Sequence, residues 1–139
     1  MHGLAPMAKS SRPTFEEVVA AQERGEPVGT DKMRTLGGII KSILDLNRDE
    51  MIGVLEHEER HAEAAARAYA SGAARARQAT QKDKLLEREA EMSSREASVR
   101  RILFYLRHGI PAHDETAEEK TLRDLLTERL RATGQWPPL

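Results

Sequence analysis

Apolar side chains recur at three- and four-residue intervals along most of this chain, the spacing that lines up one face of an α-helix. The strongest stripe is Val99, Ile102, Leu103 and Leu106, with Phe104 and Tyr105 adding bulk beside it. A second is Leu122, Leu125, Leu126 and Leu130, and a third is Met33, Leu36, Ile40, Ile43 and Leu44. No strand-like alternation of useful length occurs, so the pattern predicts an all-α fold of about five helices. Helix starts carry a repeated signature, a capping side chain followed three residues later by Glu. It occurs at Thr14…Glu17, Asn47…Glu50, Ser93…Glu96 and Thr116…Glu119. In such a box the short side chain accepts from the N3 amide while the Glu accepts from the cap amide.

These signals predict helices at about Phe15–Arg24, Asp31–Leu46, Arg48–Met92, Ser93–Arg107 and Ala117–Ala132. Gly25 with Pro27, Gly109-Ile110-Pro111 and Gly134 supply stops, the second of them of Schellman type. Residues 1–13 are expected to be a disordered tail, 14–134 a single domain and 135–139 an extended tail, with Met7 an alternative start. Gly37 and Gly38 sit inside a predicted helix, where each costs roughly 1 kcal/mol relative to alanine; a kink or a packing contact is the expected reason. Trp136, in the last tail, is expected to act as a lid on the core or as a docking anchor.

The third predicted helix is the unusual one. From Arg48 to Met92 there is no proline and there are only two glycines, Gly53 and Gly72. A continuous helix of that length would run roughly 65 Å, against about 35–40 Å for a compact globule of this size. It must fold back, protrude or lie along another chain. Fold-back is expected at Gly72 or in the polar zone Gln78–Lys84. Its middle carries a stripe of Ala62, Ala65, Tyr69, Ala73 and Ala76, near heptad spacing. Alanine buries little area, so this seam points to a helical bundle or an elongated coiled-coil-like assembly, completed by a second copy or a larger complex.

Charge changes the picture in one respect. The formal net charge is −1, so no overall field favours nucleic acid or an anionic membrane. The charges come in blocks, however: acidic at Asp49–Glu63 and basic at Arg67–Arg88. Lys32, Arg34 and Lys41 on one helix, and Arg75, Arg77, Lys82, Lys84 and Arg88 on another, form basic flanks able to contact a phosphate backbone. A helix-turn-helix fits poorly, since the break around Pro27 and Gly29 is too long. Cysteine is absent, which removes disulfides and thiol chemistry. No apolar run approaches a membrane span, and the expected location is the cytoplasm, or a virion for a phage-encoded chain.

His57-Glu58-Glu59-Arg60-His61 matches the H-E-x-x-H pattern, in which two histidines on one helix face hold zinc beside a general base. Charged residues inside and around the motif, and the want of a sheet to present substrate, speak for a solvated turn. Glu58-x-x-His61 also fits the carboxylate–histidine motif of ferritin-like bundles, which needs a second copy of the motif. No cofactor and no enzymatic activity are expected.

Met33-Arg34-Thr35-Leu36-Gly37-Gly38-Ile39-Ile40-Lys41, followed by Asp49-Glu50-Met51-Ile52-Gly53-Val54-Leu55, resembles a family of small plasmid conjugal-transfer proteins, the TraD-like ones. The matching features are Leu36-Gly37-Gly38, Lys41 and Gly53, within Met33–Leu55 alone. The family has a basic leader, whereas Thr14–Asp31 here is acidic. The resemblance implies an accessory factor in plasmid DNA transfer rather than an enzyme. The chain as a whole is expected to be a non-catalytic helical assembly or adaptor protein, of a mobile element such as a conjugative plasmid or phage, that works through helix-mediated self-association or partner docking.

Overall fold

The computed structural model describes residues 35–138. The first expected helix, the N-terminal tail, Met33, Lys32 and Arg34 lie outside the described residues. Within them the chain is all-helical, with α1 at Leu36–Ser42, α2 at Arg48–Arg75, α3 at Ala79–His108 and α4 at Ala117–Ala132. The chain divides into two compact units, one holding Ala66–Glu91 and the other Leu36–Ala65 with Met92–Leu139.

The second unit has a single apolar core. Leu36, Ile39, Ile40 and Ile43 come from α1 and the turn after it, and Met51 and Leu55 from the start of α2. Val99, Ile102, Leu103, Tyr105 and Leu106 come from α3, and Leu122, Leu126 and Leu130 from α4. These are the stripes visible in the sequence. Trp136 is half-buried against the core, its ring 4.8 Å from that of Tyr105. Tyr105 is also met by the Arg123 guanidinium, 4.9 Å above the ring, a cation–π contact.

Two of the capping boxes form. Asn47 Oδ1 accepts from the Glu50 amide at 2.8 Å, and Glu50 Oε1 accepts from the Asn47 amide at 3.0 Å. Thr116 and Glu119 repeat the exchange at the head of α4. Thr14…Glu17 lies outside the described residues. The Ser93…Glu96 box is corrected: Ser93 is interior to α3, and Glu96 instead holds Arg100 at 2.9 Å, one turn on. A helix already propagating from Ala79 needs no new start, and each added residue gains a backbone hydrogen bond.

The long third helix is likewise corrected. It is two helices, divided at 76–78, a break that follows Gly72 and overlaps the expected Gln78–Lys84 zone only at Gln78. Gly72 is interior to α2 and approaches Leu85 of α3; a Cβ built there would sit 3.5 Å from the leucine Cδ1. The glycine therefore lies where the hairpin's two arms pack, with room for a methyl group, and is not part of the turn itself. Within this unit Tyr69, Ala73 and Leu85 are buried and Ala76 is half-buried. In the core unit Ala62 is buried and Ala65 half-buried. Three of the five seam residues, Ala62, Tyr69 and Ala73, are thus buried within one chain. The second predicted helix also differs, since it starts only at Leu36 and ends at Ser42.

The stops differ in kind. Gly109, with φ 78°, donates its amide to the Tyr105 carbonyl at 2.8 Å, the simpler αL stop. The Schellman pair is at Gly134, φ 75°: Gln135 N donates to Leu130 O at 2.8 Å and Gly134 N to Arg131 O at 3.1 Å. Arg48 tightens the end of α3, donating Nε to the Leu106 carbonyl at 2.9 Å, while its amide donates to Gln135 Oε1 at 2.8 Å. A guanidinium on terminal carbonyls meets both their unsatisfied acceptors and the negative helix end.

Candidate functional site: an apolar groove beside the end of α3

On α3, Ala97, Arg100, Arg101 and Phe104 follow one another at three- and four-residue steps and share a face. This face lies off the core stripe. The αL turn at Gly109 redirects the chain, and Ile110, Pro111, Ala112, His113 and Asp114 run back beside it. Between them is a groove of about 470 Å³. Phe104 and Ile110 are 38% and 58% exposed; among the described residues only Leu86 is another large apolar side chain so open to water. The His108 ring tilts against Phe104 at 4.6 Å and extends the aromatic surface.

The walls are held by ion pairs. Glu119, at the N3 position of α4, is 1% exposed. It accepts from Arg101 Nε at 2.6 Å and Nη2 at 2.8 Å, from Ser98 Oγ at 2.6 Å, and from the Thr116 amide at 3.2 Å. Burial pushes the Glu119 carboxyl up. Arg101, Ser98 and the Thr116 amide together outweigh it and hold the group down at about 2. Glu119 is therefore a fixed negative charge that locks Arg101 into the groove wall, with Asp114 reaching the same guanidinium at 3.5 Å. Arg100 spans Glu59 of α2, at 3.1 Å, and Glu96. Its side chain stays 59% exposed, and its bond to Glu59 pushes its pKa up. The rim thus carries Arg100, Arg101, His113 and Asp114, with Arg100 already held by Glu59 and Glu96 and Arg101 by Glu119 and Asp114.

The residues singled out in the sequence lie elsewhere. His57 is exposed, His61 half-buried and Glu58 buried. Among the described residues no three His, Asp or Glu side chains gather as a metal site. Lys41 is exposed at the end of α1. Arg75, Arg77, Lys82 and Lys84 surround the α2–α3 turn, and Arg88 lies further along α3 with Glu91 at 2.7 Å. Trp136 faces the core. The groove residues were legible only in part: Phe104 stands off the Val99–Leu106 stripe, and Ile110 follows a helix stop. An aromatic off the core face beside an exposed aliphatic was the available signal. A second recess of about 510 Å³, between Asn47, Arg48 and the Gly134–Pro138 tail, is polar and made of helix ends.

No helix among the described residues is long and apolar enough to cross a membrane. No protein-family model, curated protein or solved structure matches the chain.

Proposed function

We propose that this protein is a non-catalytic helical adaptor, whose groove between α3 and the 110–114 segment docks an amphipathic helix of a partner protein. The observation that carries the reading is the clustering of Phe104 and Ile110 in one groove while the core stripes are buried. The partner helix would present aliphatic side chains three or four residues apart, flanked by carboxylates. The aliphatic part follows from the apolar floor. The acidic flank follows from Arg100, whose guanidinium stays 59% exposed at the rim beside its partners Glu59 and Glu96 and can meet a further carboxylate. Covering Phe104 and Ile110 removes on the order of 150 Å² of apolar surface, about 4 kcal/mol before the costs of association. That suits a transient, micromolar contact.

The resemblance over Met33–Leu55 is what would attach such an adaptor to plasmid transfer. With Ala62, Tyr69 and Ala73 of the alanine seam buried by the chain itself, docking through the groove is a better-supported mode of assembly than coiled-coil pairing along α2. The test is a labelled peptide of leucine and glutamate with leucines at i, i+3, i+4 and i+7, titrated with the protein. The reading expects saturable binding, weakened about tenfold by Phe104→Ala and abolished by Ile110→Asp. It also expects weaker binding when the glutamates are replaced by lysine. Equal binding by a peptide of scrambled leucine spacing, or concentration-dependent self-association of the protein that Ile110→Asp removes, would count against it.

A further inference from the structure

The hairpin unit carries a different surface. From Arg75 to Lys84 the chain leaves α2, turns at 76–78 and enters α3. This stretch holds four cations, Arg75, Arg77, Lys82 and Lys84, against one carboxylate, Asp83, and all five are exposed. In the core unit, Arg48, Arg100, Arg101, Arg107, Arg123 and Arg129 each hold a carboxylate. None of the four tip cations makes an ion pair among the described residues; Arg75 hydrogen-bonds only the Ser71 hydroxyl, at 2.7 Å.

From these observations we infer that the α2–α3 tip binds the phosphate backbone of duplex nucleic acid. The charge is local, so it escapes the near-neutral total. The cations stand on two helix ends joined by a short turn, whose arms pack closely at Gly72 and Leu85. Neighbouring helices are about 8–10 Å apart, so the two arms can meet different phosphates. Gln78 and Thr80 are exposed at the same turn and add neutral hydrogen-bonding groups. Between Arg75 and Lys84 there is no aromatic side chain to stack on bases and no apolar side chain larger than alanine to enter a bilayer. Both facts favour a duplex backbone over a single strand or a membrane. This surface is separate from the groove, and its failure leaves the adaptor reading untouched.

The test is fluorescence anisotropy of a labelled DNA duplex of mixed sequence, titrated with the full chain. Four phosphate contacts predict affinity falling about 100-fold between 50 and 200 mM salt. Lys82→Glu, at an exposed site, should weaken binding about tenfold at 50 mM salt. The fourfold alanine variant of Arg75, Arg77, Lys82 and Lys84 should weaken it at least 30-fold, with helix content unchanged. Phe104→Ala should leave DNA binding as it was. Absence of binding at 50 mM salt would overturn the proposal. So would equal binding by wild type and Lys82→Glu, or retention on phosphatidylserine vesicles without retention on DNA.

Discussion

Glu119→Gln removes one charge from the wall of the groove. Glutamine at N3 still supports the capping box with Thr116, and its carbonyl can still accept from Arg101 or Ser98. The change removes the negative charge and turns one of the two accepting oxygens into an amide nitrogen, which cannot accept from the donors around it. The folded protein holds the Glu119 carboxyl at about 2, against 4.5 for the ordinary group. That difference corresponds to about 3 kcal/mol of stability. Breaking a buried pair by removing one partner costs about 3–5 kcal/mol. Arg101 keeps 21% of its side chain in water and has Asp114 at 3.5 Å, which places the cost at the low end. The two routes agree. Because the folded group is the stronger acid, its contribution is complete above about pH 4.5 and is lost as the pH falls toward 2. Urea unfolding of both proteins, followed by far-UV circular dichroism between pH 7 and pH 2.5, reads this directly. The other carboxylates titrate in both, so the difference belongs to Glu119. The stabilities should differ by about 3 kcal/mol at pH 7 and converge below pH 4.5. A gap under about 1 kcal/mol at pH 7, or one that stays constant to pH 2.5, would refute the reasoning.

Thermal and urea denaturation check three further expectations. Gly72→Ala should stabilise by up to about 1 kcal/mol, because alanine is the better helix former and its Cβ meets Leu85 at ordinary contact distance; a glycine acting as a hinge would give a loss instead. Gly134→Ala should cost about 1 kcal/mol for its φ of 75° alone, while Gly109→Ala should cost more, since its Cβ would also fall 3.2 Å from Pro138 Cγ. Tyr105→Phe should cost about 1 kcal/mol, because the phenol donates to Thr127 Oγ1 at 2.5 Å while Thr127 donates to the Arg123 carbonyl at 2.7 Å.

Particular residues explain what was legible in the sequence. The apolar stripes of α3 and α4 were clear because both helices bury one face in the same core, and burial imposes the helical period. The Asn47 and Thr116 boxes were clear because each follows a real break in the chain. Ser93…Glu96 has the same letters inside a continuous helix, where the backbone already supplies the amides' partners and Glu96 is free to hold Arg100. The turn at 76–78 was met only at the edge of the expected zone, at Gln78, because Ala76, Arg77 and Gln78 contain no helix breaker. Packing of the arms, with Leu85 against Gly72, sets its position, and local propensity does not encode that. The groove was hardest to see. It depends on the direction in which Ile110–Asp114 leaves Gly109, and on an ion-pair hub that joins Ser98, Arg101 and Glu119 from two helices.

The docking groove is tested most directly by amide NMR spectra of the protein titrated with the leucine–glutamate peptide. Saturable shifts are expected at Ala97, Phe104, Ile110, Ala112 and His113, with the amides of α1 unmoved. The absence of saturable shifts at those five positions, or saturation with the largest shifts at residues that do not line the groove, would contradict the account.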